Sequence, residues 1–136
     1  MSAIDILKHH DIKVTPVRRA MIAALQTATY PLSENDIKEQ MPELYDRVTF
    51  YRNFQLLTAA GVIHKIVADS NAVRYALNCC DNGHQHTAGH AHFFCETCQR
   101  IVCLNQIRIP VYNLPEGYTL HDCDIVIKGI CKECNV

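Results

Sequence analysis

DRVTFYRNFQLLTAAGVIHKIVADSNAVRYAL, residues 46–77, reads as a capped helix that runs into a hairpin. Asp46 is a helix N-cap, because its carboxylate can accept from the first free backbone N–H groups. Val48, Phe50, Tyr51, Phe54, Leu56, Leu57, Ala59 and Ala60 are the apolar members. Val48, Tyr51, Phe54 and Leu57 recur at three-residue spacing, and that row is expected to be the buried face. Gly61 closes the helix. Val62 to Val67 and Val73 to Leu77 follow as two strands, with Asp69-Ser70-Asn71 as their turn.

Upstream the punctuation is equally clear. Ile4 and Leu7 mark a short first helix ending near His10. Thr15-Pro16 starts a second, with Thr as N-cap and Pro at the first helical position. Its apolar positions are Val17, Ala20, Met21, Ala24 and Leu25. Ser33 caps a third helix through Ile37 to Met41, and Pro42 stops it. Helices closed by a two-stranded hairpin predict a winged helix-turn-helix, whose recognition helix enters the DNA major groove. The fourth helix offers Arg47, Thr49, Arg52, Asn53 and Gln55, residue types that contact base edges and phosphates. The plain alternative is a polar helix face turned to water.

Charge does not decide between these readings. The 136-residue chain has a formal net charge of -1, and residues 1–67 carry eight Lys/Arg against seven Asp/Glu. Any DNA contact must come from a local surface. No apolar run reaches the ~18 residues of a membrane span. The N-terminus lacks the basic-then-apolar pattern of a signal peptide, so the expected location is the cytoplasm and no membrane partner is expected.

Composition changes near residue 78. Residues 1–77 hold no cysteine, whereas residues 79–136 hold all eight cysteines and five of the eight histidines. The expected organisation is a DNA-binding domain over 1–78, a hinge or loop over 79–89, and a metal-binding domain over 90–136. In a reducing compartment, paired cysteines are more often metal ligands than disulfides. Cys95-x-x-Cys98 and Cys131-x-x-Cys134 are separated by 32 residues. Each short turn brings two thiolates to one point, and two such pairs make a closed four-sulfur zinc site, structural rather than catalytic. A small strand-rich domain fits between them, and Gly129 would help the backbone turn before Cys131.

A second, more open constellation surrounds His90-Ala91-His92, whose imidazoles share one face of a strand. Cys79-Cys80 and His84-x-His86 lie just upstream, and His64 lies in the first hairpin strand. Nitrogen and sulfur donors suit zinc, where manganese would favour oxygen. Metal drawn from both halves would clamp one onto the other. Taken blandly, His64 is a surface histidine, and Cys103 and Cys123 are packing thiols in apolar strands.

Taken together and in order, these marks resemble the ferric uptake regulator (Fur) family from Ile12 to Cys134. They are Lys13-Val14-Thr15-Pro16-x-Arg18, Thr49-Phe50-Tyr51-Arg52-Asn53, Leu57-x-x-x-Gly61-Val62-Ile63 and Arg74-Tyr75-x-Leu77. His90-x-His92-Phe93-Phe94-Cys95-x-x-Cys98 and Gly129-x-Cys131-x-x-Cys134 complete the set. The resemblance implies an α+β chain: an N-terminal winged helix and a small C-terminal, zinc-stapled dimerisation domain. It implies a metal-loaded homodimer that binds palindromic operator DNA and represses metal-uptake genes, with no organic substrate. Tyr51 and Arg52 fall on the recognition helix. Lys13 falls where the family reaches a neighbouring minor groove. Cys95, Cys98, Cys131 and Cys134 fall on the structural zinc ligands.

The sensing site resembles the zinc-responsive branch more than the iron-responsive one. Iron sensors add a histidine before the third helix and a glutamate after the second hairpin strand, where this chain has Pro31 and Ala76. Zinc sensors use an Asp or His early in the hairpin and a Cys just after it, here His64 and Cys79 or Cys80. The regulatory set implied is His64, Cys79 or Cys80, His90, His92 and Cys103, the last standing where many members place an acidic ligand. A third family site is altered, with Ala91 and Cys123 at its positions. Pro110 and Pro115 interrupt the segment where members carry a dimerisation helix. The alternatives are an iron or peroxide sensor of the same family, or a small zinc hydrolase or deaminase. The last lacks an H-x-E or H-E-x-x-H placement for a general base.

Overall fold

A computed structural model describes residues 1–69, 71–78, 91–104, 113–120, 123 and 125–135. The chain forms two compact units, Met1–Asn78 and Cys79–Val136.

The first unit has four helices, α1 (Ala3–His9), α2 (Pro16–Thr27), α3 (Glu34–Gln40) and α4 (Arg47–Ala59), followed by strands β1 (Ile63–Asp69) and β2 (Ala72–Leu77). Each helix start follows from its cap. The Thr15 hydroxyl accepts from Arg18 N–H, and Ser33 and Asp36 form a reciprocal capping box. Asp46 accepts from Thr49 N–H at 2.9 Å. A single 3-10 turn, Pro42–Leu44, joins α3 to α4. Gly61, at φ +78°, ends α4, and the Val62 N–H reaches back to the Leu57 carbonyl at 3.0 Å. That left-handed position is open to glycine at little steric cost.

The antiparallel pair β1–β2 completes the winged helix, in register Ile63 with Leu77 and His64 with Ala76. An isolated bridge from Leu32 to Tyr75 ties the loop before α3 to the wing. The core gathers Leu7, Met21, Ile22, Ile37, Phe50, Leu57 and Ile63, all essentially inaccessible. Phe54 stacks on Tyr75 at a 4.2 Å centroid distance.

The buried face of α4 differs from the expected row. Phe50, Asn53, Phe54 and Leu57 are buried, whereas Val48 is 55% and Tyr51 61% exposed. The reason is helical geometry. At about 100° per residue, a three-residue step falls back about 60°, so Val48 and Leu57 lie on opposite sides. The true stripe follows the i, i+3, i+4, i+7 pattern. It leaves the apolar Val48 and Tyr51 facing outward.

The second unit is strand-rich. β3 (Ala91–Cys95), β4 (Ile101–Leu104) and β5 (Ile125–Gly129) form a sheet in the order β4-β3-β5. β3 is antiparallel to β4 and parallel to β5. Gly129 lies beneath Phe93, where an added Cβ would meet the ring at 3.3 Å. Its φ is not positive, so the glycine serves this close approach rather than the turn expected before Cys131. Around Pro115 the described residues 113–120 form a turn, with Tyr118 N–H donating to the Pro115 carbonyl, and no helix. Among the described residues no helix is long and apolar enough to cross a membrane.

Candidate metal centres and nucleic-acid face

The four-cysteine centre is built by strand register. β3 and β5 run parallel with Cys95 opposite Gly129, so the two C-x-x-C turns leave the sheet side by side. Glu96 N–H donates to the Gly129 carbonyl at 2.8 Å and locks them together. In the first turn Gln99 takes a left-handed φ of +63° and its N–H returns to the Cys95 carbonyl at 2.8 Å. In the second, Asn135 N–H donates to the Cys131 carbonyl at 2.9 Å.

The sulfurs of Cys95, Cys98, Cys131 and Cys134 all lie within 4.8 Å of one another. Cys98 Sγ and Cys131 Sγ are 3.8 Å apart, far beyond a disulfide bond. A tetrahedron with zinc–sulfur bonds of about 2.3 Å has sulfurs about 3.8 Å apart, so the residues fit zinc. Cys95 Sγ accepts from the N–H groups of Cys98 at 3.5 Å and Cys131 at 3.3 Å. Those donors, Cys98 first, hold the Cys95 thiol down at about 6. Cys134 is pushed up to about 12, first by its hydrogen bond with the Cys131 thiol and then by burial. One thiolate is thus stabilised by the backbone, while the cluster resists a full set. A divalent cation would supply the missing charge and displace the protons.

A second donor pair lies in the same sheet. Cross-strand register sets His92 of β3 opposite Cys103 of β4, so both side chains share a face. Their ligand atoms lie within 4.8 Å of each other, with His92 buried and Cys103 half-buried. In the first unit His64 sits on β1, and its Nδ1 is 2.7 Å from Asn78 Oδ1. Asn78 was not singled out by sequence. Cys79, Cys80 and His90 lie outside the described residues, as do His84 and His86.

The residues expected to face nucleic acid divide into two groups. Arg47, Tyr51 and Arg52 are exposed along α4, joined by Val48 and Gln55. Gln55 Nε2 donates to Tyr51 Oη at 2.9 Å. Lys13 is exposed in the loop before α2. Thr49, by contrast, donates its hydroxyl to Asp46 at 2.7 Å. Asn53 is turned inward, against expectation, because it belongs to the buried stripe. It accepts from Arg18 Nε at 2.9 Å and donates to the Thr49 carbonyl at 2.9 Å. Arg18 also donates through Nη1 to the Lys13 carbonyl at 2.8 Å. Arg18 and Asn53 therefore clip α2, α4 and the Lys13 loop together.

The sequence profile of the ferric uptake regulator family matches residues 9–128. The chain belongs to the ferric uptake regulator family. Similar proteins include the transcriptional regulator FurA of Mycobacterium tuberculosis, 24% identical over 96% of this chain and 88% of that protein. The peroxide operon regulator of Bacillus subtilis is 21% identical over 98% and 91%. Among solved structures, a zinc uptake regulator complexed with zinc and DNA superposes with a TM-score of 0.67, at 21% identity over 97% of this chain and 89% of that one. The Helicobacter pylori ferric uptake regulator gives 0.65 at 18% identity, over 100% and 95%. These likenesses establish the Fur-like α+β fold. As a Fur-family member the chain is a metal-responsive transcription regulator and not an enzyme, which removes the hydrolase and deaminase reading.

Proposed function

We propose that this Fur-family chain is a zinc-responsive repressor that binds operator DNA as a homodimer. The observation that carries the zinc assignment is the His92–Cys103 pair, a nitrogen and a sulfur donor on one sheet face. Such a set favours zinc over the harder, oxygen-preferring cations. His64, one of Cys79 and Cys80, and His90 are the remaining ligands in this reading. The Cys95, Cys98, Cys131 and Cys134 cluster holds a separate structural zinc. Bound metal fixes the geometry of two recognition helices in the dimer to the spacing of operator half-sites. The α4 face of Arg47, Tyr51 and Arg52 reads the major groove, and Lys13 reaches an adjacent backbone or minor groove. Thr49, Arg18 and Asn53 shape that surface from behind.

The decisive experiment counts zinc per chain before and after mild chelation of the folded protein. About two zinc ions falling to about one, with the fold retained, is expected for a closed staple plus an open sensing site. One tightly held zinc throughout would defeat the zinc-sensor reading. An iron-responsive reading draws on similarity to FurA and to the peroxide operon regulator. It requires DNA affinity to rise with ferrous iron and not with zinc.

A further inference from the structure

We infer that Asn78 is a positioning residue for the sensing site: its carboxamide fixes His64 as the Nδ1–H tautomer and so makes Nε2 the metal-binding nitrogen. The inference rests on the reading of His64 as a regulatory ligand.

The placement follows from the hairpin register. His64 pairs with Ala76, so Asn78 is the diagonal neighbour on the same face. Asn78 N–H donates to the Val62 carbonyl at 3.0 Å, extending the β1–β2 ladder by one bond. The Asn78 backbone is therefore held, and its side chain reaches two groups at once. Nδ2 lies 2.7 Å from the Gly61 carbonyl oxygen, and Oδ1 lies 2.7 Å from His64 Nδ1.

Donor and acceptor logic then leaves one arrangement. A backbone carbonyl only accepts, so the amide edge facing Gly61 must be the NH2 group. The carboxamide oxygen therefore faces His64, and it too only accepts. His64 Nδ1 must carry the proton, and in a neutral imidazole the lone pair then resides on Nε2. A metal binds the nitrogen that holds the lone pair, and the hydrogen bond of the other nitrogen sets which one that is. Gly61 is a fixed anchor for this relay, since its left-handed turn closes α4.

The arrangement also has a consequence for signalling. A cation on Nε2 withdraws electron density and strengthens the Nδ1–H bond to Asn78. Asn78 is the last residue of the first compact unit. Metal occupancy would therefore tighten the chain at the point where it leaves the winged helix.

The test uses the full chain with its four-cysteine zinc retained and the sensing metal removed. Long-range 1H–15N NMR correlations of the His64 ring, recorded above the imidazole pKa, report the tautomer directly. Wild type is expected to show Nδ1–H, and Asn78→Ala a mixture. Asn78→Asp keeps the acceptor for His64 but loses the donor to Gly61, so it should retain the wild-type tautomer. Titration with zinc alone, against a competing chelator, should weaken about 10- to 100-fold in Asn78→Ala and only slightly in Asn78→Asp. An Nε2–H form in wild type, or equal losses in both variants, would overturn the proposal; equal losses would mark Asn78 as merely structural. If Asn78→Ala fails to fold, the wild-type tautomer and the Asn78→Asp titration still decide. A His64→Ala variant with undiminished zinc affinity would instead remove His64 from the sensing site, an outcome separable from the tautomer result.

Discussion

Asn53 Oδ1 accepts a hydrogen bond from Arg18 Nε at 2.9 Å, joining α4 to α2 through a polar contact in the wall of an otherwise apolar core. The Asn53 amide also donates to the Thr49 carbonyl, and Arg18 also donates to the Lys13 carbonyl. Removing the Asn53 side chain would leave the part-buried Arg18 Nε without its acceptor. Asn53→Ala is therefore expected to destabilise the first unit by about 1–3 kcal/mol. Paired with Arg18→Ala in a double-mutant cycle, urea melts should show a coupling of about 1 kcal/mol. Additive losses would mean that the two side chains act independently.

Tyr51 and Arg52 make the opposite prediction. Both are exposed, and neither supports the core. Tyr51→Ala and Arg52→Ala should shift stability by no more than about 0.5 kcal/mol. Each should nevertheless weaken binding to a duplex selected from random DNA by the zinc-loaded wild type, and relax its sequence preference. Arg52→Ala should also flatten the salt dependence if its main contact is a phosphate. Fluorescence anisotropy across a salt series checks both effects. Unchanged affinity in the two variants would dismiss this face of α4 as the reader.

These contrasting roles mark the boundary of what the sequence discloses. Thr15-Pro16, Ser33, Asp46 and Gly61 announced their helix ends because capping is a local property, decided within a few residues. The two C-x-x-C pairs were legible for the same reason, since a short turn alone brings two sulfurs together. The α4 face is ambiguous in sequence because Tyr51 and Val48 are apolar yet kept outside, and a three-spaced row of apolar residues imitates a stripe. Asn53 looked like a surface amide because its partner, Arg18, lies 35 positions away. The pairing of His92 with Cys103, and of His64 with Asn78, depends on strand register, which spacing along the chain does not encode.

Acid stability carries a local signature at Asp46. Its carboxylate accepts from the Thr49 hydroxyl and N–H, which together hold its pKa below the ordinary 3.8. A folded-state pKa below the unfolded one contributes stability that is complete above the unfolded value. That contribution fades as pH falls through the folded value. Asp46→Asn keeps a good N-cap but does not titrate. Its stability should match wild type near neutrality and fall less steeply in acid. Parallel denaturant melts check this, because any metal that the four-cysteine cluster holds would be lost in acid from both proteins alike. Identical acid limbs would show that the Asp46 charge contributes nothing.

The second unit carries the four-cysteine cluster. Among its described residues, the buried apolar side chains are only Ala91, Phe94, Cys95 and Ile101. A unit of this length rarely buries enough apolar surface to offset the entropy of ordering its strands, and a metal staple is the usual remedy at this size. In the proposed staple, Cys95 is the critical ligand. It is wholly buried, and its sulfur receives the N–H groups of both cysteine turns. A serine hydroxyl there is a poorer zinc ligand and would not hold a charge to receive those donors. Cys95→Ser should lose its tightly held zinc, lose strand signal in circular dichroism and become protease-sensitive after residue 78. The winged helix, with its own core, should continue to melt as a separate unit. Elemental analysis and limited proteolysis on the same sample distinguish the outcomes. A Cys95→Ser protein that is zinc-free yet fully folded would show that the sheet β4-β3-β5 stands without its staple.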